Sequence, residues 1–150
     1  MNGRVRHALP QDLNALLKLE ASFPSDRLSR RSFRHLLAHG NSDVLVFEAH
    51  GQIVGNAIIL YRRNSSHARL YSLVVDPQQQ RQGIARNLIQ AAEAAARNKG
   101  CSSMGLELRP DNNAALILYE RLGYTLIRRK ENFYDDGSAA LCMHKTFMDN

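Results

Sequence analysis

Cysteine is scarce in this chain and scattered. Cys101 and Cys142 stand alone, so neither a C-x-x-C metal spacing nor a disulfide framework can be assembled from them, and both read as structural filler. Long apolar runs are missing too: no stretch approaches the ~20 residues that a bilayer-spanning helix needs, and no membrane partner is expected. The N-terminus, Met1-Asn2-Gly3-Arg4-Val5-Arg6, lacks the apolar core of a signal peptide, which makes the cytoplasm the default expectation. No internal repeat, low-complexity tract or linker divides the 150 residues, so one domain over 1–150 is expected. His35 and His39 would share a helix face at i, i+4, but no third ligand is near in sequence and the segment is basic; no metal site is expected. Two glycine patterns for phosphates are also absent, the dinucleotide fingerprint G-x-G-x-x-G and the P-loop G-x-x-x-x-G-K-S/T.

What is present centres on Gln80-Arg81-Gln82-Gly83-Ile84-Ala85. Before it, Ala68 to Val75 is apolar and β-branched at its end and reads as a strand, which Asp76-Pro77 stops because proline has no ladder donor. After Gly83, the run Ile84 to Ala96 is the strongest helix former in the chain. Strand, polar turn and helix in that order leave unpaired N–H groups and the positive dipole end at the helix start. Gly83 and Ala85 have little or no side chain, so an anion, most simply a pyrophosphate, can approach those N–H groups. Lys and Arg outnumber Asp and Glu by 20 to 14, a net charge of +6. A surface this basic suits an anionic cofactor or a nucleic acid equally, and charge alone does not choose.

The remaining elements follow from periodicity. Val5 to Leu9 alternates as a first strand. Pro10 then opens a helix with Leu13, Leu16, Leu17 and Leu19 as its stripe, and a second helix follows Ser29. The second helix turns Phe33, Leu36 and Leu37 one way and Arg30, Arg31, Arg34 and His35 the other; that cluster is either a solvated face or a substrate or anion contact. Val44 to Ala49 and Ile53 to Tyr61 flank a His50-Gly51 hairpin turn. Strand Met104 to Leu108, a helix from about Asn112 to Gly123, and two strands joined across Asp135-Asp136-Gly137 complete the chain. Mostly antiparallel strands with two strand–helix units argue an α+β domain around a central mixed sheet.

Gln80-x-x-Gly83-x-Ala85 resembles the Q/R-x-x-G-x-G/A signature of the GNAT superfamily of acetyl-coenzyme A-dependent N-acetyltransferases. The run Leu106 to Tyr124 resembles the second half of that fold, and Leu106-Glu107-Leu108-Arg109 is similar to the ribosomal-protein alanine N-acetyltransferase (RimI-like) branch. Ala85 stands where the signature has its second glycine. The resemblance implies about seven strands and about four helices, with the sheet splayed between two parallel strands. It implies acetyl-CoA as cosubstrate, bound by backbone groups of Arg81, Gln82, Gly83, Ile84, Ala85 and Arg86 around its pyrophosphate. Leu73, Val74 and Val75 would lie along the pantetheine arm, with one N–H aimed at the thioester oxygen, and Asn112 would contact pantetheine or diphosphate unless it is only a helix N-cap. Tyr119 would be the general acid that reprotonates the thiolate, since a phenol of pKa ~10 is protonated at neutral pH. Glu107, between apolar neighbours and therefore on the other face of its strand, would take the proton of the acceptor ammonium, helped by a pKa raised through partial desolvation; the alternative is an exposed carboxylate paired with an arginine. Phe133-Tyr134-Asp135-Asp136 resembles an acceptor-side loop of that branch.

The implied activity is acetyl transfer to a primary amine by direct attack in a ternary complex, the acceptor being a protein N-terminus. A small-molecule amine acetyltransferase and a non-catalytic module binding acyl-CoA or nucleic acid are the alternatives. Monomer and homodimer both remain open.

Overall fold

The computed structural model describes residues 3–23, 28–38, 41–79 and 83–147. Gln80, Arg81, Gln82 and His39 lie outside the described residues, and with them part of the expected phosphate turn. Seven strands form one sheet in the order β1-β2-β3-β4-β5-β7-β6. They are β1 (Gly3–His7), β2 (Ser42–Ala49), β3 (Gln52–Tyr61), β4 (His67–Val75), β5 (Ser103–Leu108), β6 (Thr125–Lys130) and β7 (Ala140–Thr146). Every neighbouring pair is antiparallel except β4 and β5. The four α-helices are α1 (Leu13–Glu20), α2 (Arg30–Ala38), α3 (Ile84–Asn98) and α4 (Asn113–Arg121). The expected mixed sheet with four helices is the observed fold.

Local chemistry explains the joints. His50 (φ 53°) and Gly51 (φ 75°) are both left-handed, as a two-residue turn between twisted antiparallel strands requires. Pro10 to Asp12 forms a 3₁₀ turn, so α1 starts later than the proline suggests. The Asp12 carboxylate closes that turn by accepting the Leu9 N–H at 2.7 Å and two guanidinium bonds from Arg6 at 2.8 and 3.1 Å.

Helices cover the sheet unevenly. On one face α3 and α4 bury the larger core, with Ile84, Leu88, Ile89 and Ala92 of α3 against Leu45, Ala57, Leu70 and Met104 of the strands. On the other face α1 and α2 bury a smaller cluster of Leu16, Phe33, Val44, Val46 and Ile58, which lies over β2 and β3. Gly55 sets how close α3 comes: a Cβ there would meet Leu88 Cδ1 at 2.9 Å and Ile84 Cγ2 at 3.1 Å. Packing at van der Waals contact therefore fixes the N-terminal end of α3 beside the end of β4.

Candidate active site

The two parallel strands part company midway. β4 pairs with β5 from His67 to Leu70, against Ser103 to Leu106, and beyond that point β4 pairs only with β3. A bulge at Tyr71, where the register with β3 slips, helps turn β4 away. The gap between the diverging ends is a cleft of about 580 Å³. Leu73 and Val74 line one side, and Glu107, Asn112 and Tyr119 line the other. Ligands of open sheets belong at such a place, because parted strands leave main-chain groups with no partner strand.

Tyr119 sits on the last turns of α4, 7% exposed, with its ring edge-on to that of Tyr124 at 5.6 Å. The second ring is itself pinned. The Tyr124 hydroxyl donates to Glu93 Oε2 at 2.8 Å, and Lys145 Nζ donates to Glu93 Oε1 at 2.9 Å and to the Leu122 carbonyl at 2.7 Å. The Tyr119 hydroxyl makes no hydrogen bond among the described residues, unlike most buried phenols. Burial pushes its pKa up, so it stays protonated.

Glu107 faces the same cleft from β5, its side chain 16% exposed. It is both a cleft carboxylate and a paired one: Arg69 of β4 donates from Nε at 2.9 Å, and its Nη2 lies 2.8 Å away, both to Oε1. Asn112 caps α4, accepting the Ala115 N–H at 3.2 Å, while also lining the cleft, so both of its expected roles are compatible.

At the start of α3, Gly83 adopts φ +77°, and among the described residues no side chain caps the helix. Among the described residues nothing lies within 4 Å of where a Cβ at Gly83 would stand, beside the first-turn N–H groups. Ile84 and Val75 send their side chains into the core, and Val75 is not among the residues that line the cleft; Ala85 is half-buried and Arg86 exposed.

The far wall of the cleft holds Phe23 and Leu28 on one side and Phe133, Tyr134 and Asp135 of the expected loop on the other. Arg109 braces that loop by donating to Asp136 Oδ2 at 3.0 Å and stacking over Tyr134 at 4.2 Å. Arg30, Arg31, Arg34 and His35 are exposed and none lines the cleft. Among the lining residues that escaped the sequence reading are Glu20 and Arg69. Glu20, 3% exposed, accepts the Leu28 N–H at 3.3 Å; its signal was a carboxylate four residues after Leu16 on the apolar stripe of α1. Arg69 carried the alternation signal of β4, which places it on the face of His67 rather than of Leu70. Among the described residues no group of His, Cys, Asp and Glu could hold a metal, and no helix is long and apolar enough to cross a membrane.

Comparison with known proteins agrees with this geometry. A family model described as an acetyltransferase (GNAT) domain matches residues 8–147. The chain is 37% identical over 67 residues to the ribosomal protein bS18-alanine N-acetyltransferase of Escherichia coli K12. That alignment covers 45% of each protein, so the match spans less than half the length of this relative. Against a putative ribosomal protein bS18-alanine N-acetyltransferase of Bacillus subtilis, identity is 27% over 144 residues, covering 95% of this chain and 94% of the other. The crystal structure of the ribosomal-protein-S18-alanine N-acetyltransferase from Escherichia coli superposes with a TM-score of 0.86 at 26% identity, covering 99% of this chain and 96% of that one.

Proposed function

Because the chain belongs to the GNAT acetyltransferase family, we propose that it moves an acetyl group from acetyl-CoA to the N-terminal amine of a protein, by direct attack in a ternary complex. The observation that carries this is the cleft itself: one opening between β4 and β5 presents Glu107 and Tyr119 together, an acceptor of protons and a donor. Acetyl-CoA supplies the thioester. First-turn N–H groups of α3 at Gly83, Ile84, Ala85 and Arg86 would receive its diphosphate, together with Arg81 and Gln82 on family grounds. Main-chain groups of Leu73, Val74 and Val75 would run beside the pantetheine as an added strand would, one N–H pointing at the thioester oxygen, and Asn112 would reach the same arm.

Glu107 would take a proton from the incoming ammonium, freeing the nitrogen lone pair to attack the carbonyl carbon. When the carbon–sulfur bond breaks, Tyr119 would give its proton to the sulfur. The phenolate is then restored by the second proton that the new amide nitrogen sheds, directly or through solvent, and Glu107 gives up the first proton to solvent, which leaves atoms and charges balanced. A protein N-terminus is favoured because the relatives just described carry that activity in their names, and because Phe23, Phe133 and Tyr134 line the cleft and could flank a peptide.

Thiol release from acetyl-CoA, measured over a panel of short peptides, polyamines and free amino acids, tests the reading. Peptide N-termini should turn over fastest. Preference for a polyamine or amino acid would move the assignment to a small-molecule enzyme, and cofactor binding without turnover on any amine would leave only a binding module.

A further inference from the structure

We infer that Arg69 is a positioning residue for this reaction, acting through Glu107; the inference rests on the reading of Glu107 as the base. The two residues are 38 positions apart and meet at the end of the parallel pairing, Arg69 one residue before the last paired residue of β4, Leu70, and Glu107 one residue after the last of β5, Leu106. The geometry of the pair is lopsided. Arg69 aims both Nε, at 2.9 Å, and Nη2, at 2.8 Å, at the same carboxylate oxygen, Oε1. Oε2 makes no hydrogen bond among the described residues. A bidentate fork that matched the two carboxylate oxygens would have tied up both, which is the usual arrangement between arginine and a carboxylate. Here one oxygen is held and the other is left for the cleft.

Arg69 is held in turn. Its guanidinium lies over the ring of Tyr71, with Cζ 5.3 Å from the centroid. Tyr71 is the bulged residue of β4 and lines the same cleft. The chain of contacts therefore runs from the point where β4 turns away, through Tyr71 and Arg69, to Glu107 Oε1. One hydrogen bond from Nε and the close positive charge of Nη2, both on Oε1, restrict the χ angles of a side chain that would otherwise sample several rotamers and leave Oε2 for the acceptor nitrogen. Orientation of this kind raises the rate of the proton step while leaving cofactor binding alone. A mere strut between strands would behave differently: it would hold the splay open, and its loss would weaken cofactor binding and stability, whatever stands at position 107.

A double-mutant cycle separates these roles, using the full chain and a peptide acceptor that the wild type acetylates. Arg69→Met keeps the length of the side chain and removes its donors; kcat should fall by about tenfold or more, within the range that a general base contributes, with acetyl-CoA affinity by calorimetry and thermal midpoint near wild type. Arg69→Lys, with one compact donor group, should recover part of the loss. In the Glu107→Gln background, Arg69→Met should cost nothing further, because the residue acts only through that carboxylate. Losses that multiply in the double mutant, an Arg69→Met enzyme with wild-type kcat, or a loss confined to acetyl-CoA affinity would each overturn the inference while leaving Glu107 as base intact. Wild-type turnover in Glu107→Gln would instead remove the base assignment, and Arg69 with it. Should Arg69→Met fail to fold, the cycle is closed with Arg69→Lys and the same outcomes decide.

Discussion

At the scale of single residues, Tyr119 separates an enzyme from a binding module. Its ring is packed against Tyr124 and its hydroxyl bonds to nothing among the described residues, so removing the oxygen costs the fold little. Phenylalanine keeps the packing and deletes the only proton this position can give. Tyr119→Phe should lower kcat by at least tenfold, given that general acid help is worth ~10²–10⁴-fold, with thermal midpoint and acetyl-CoA affinity nearly unchanged. A structural tyrosine would show the opposite, a stability loss of order 1 kcal/mol for a missing buried hydrogen bond and near-normal turnover. Normal turnover by Tyr119→Phe would mean that water or another group protonates the thiolate.

At the scale of elements, two junctions carry predictions. The first is the start of α3. Gly83 stands at φ +77° with nothing among the described residues within 4 Å of where a Cβ would stand. Asparagine tolerates that conformation, whereas glutamate would add a negative charge at the mouth of the phosphate approach. Gly83→Glu should weaken acetyl-CoA binding by at least about tenfold, equivalent to about 1.4 kcal/mol, and by clearly more than Gly83→Asn. Calorimetry on variants of matched thermal midpoint would refute the cradle if the two bound alike. The second junction joins β1, the 3₁₀ turn and β2 through Arg6, which bonds Asp12 and also Glu48 at 3.1 Å. The Arg6 guanidinium, aided by the Leu9 N–H, holds the Asp12 carboxyl below its usual pKa even though partial burial opposes it. A carboxyl depressed in the folded state stabilises fully above its unfolded value of ~3.9, and that contribution disappears as pH falls through the folded value. Asp12→Asn should therefore cost about 1–3 kcal/mol in urea unfolding at pH 7, with the gap to wild type closing below about pH 4. A gap of undiminished size at pH 2 would show that the lost stability has nothing to do with the charge.

At the scale of the whole molecule, the splay decides the order of events. In the proposed reaction the cleft between the diverging strands would take the thioester along β4 and the acceptor past Phe23, Phe133 and Tyr134, so that both could be present at once. Cys101 and Cys142 are buried and neither lines the cleft, which leaves no thiol there to carry the acetyl group. Initial rates should give intersecting double-reciprocal lines, and the protein incubated with acetyl-CoA alone should keep its mass in a denaturing mass spectrum. Parallel lines with an added acetyl mass would indicate a covalent route instead.

What the sequence determined is what short spacings encode. The strand–turn–helix around Gly83, the left-handed pair His50-Gly51, the cap at Asn112 and the alternation that turns Glu107 away from Leu106 and Leu108 all depend on residues a few positions apart. The motif spanning Leu106 to Tyr124 put Glu107, Asn112 and Tyr119 in one candidate site before any strand was paired. Only the tertiary structure decided which arginine meets Glu107, how deeply Tyr119 is buried and where β4 leaves β5. Arg69 and Glu107 become neighbours because α3 crosses over and docks β5 in parallel register beside β4, and no local period in either strand specifies that register. Glu20 shows the same division from the other side: helical spacing put its carboxylate on the buried stripe of α1, but the Leu28 N–H that it receives lies across a turn that spacing does not describe.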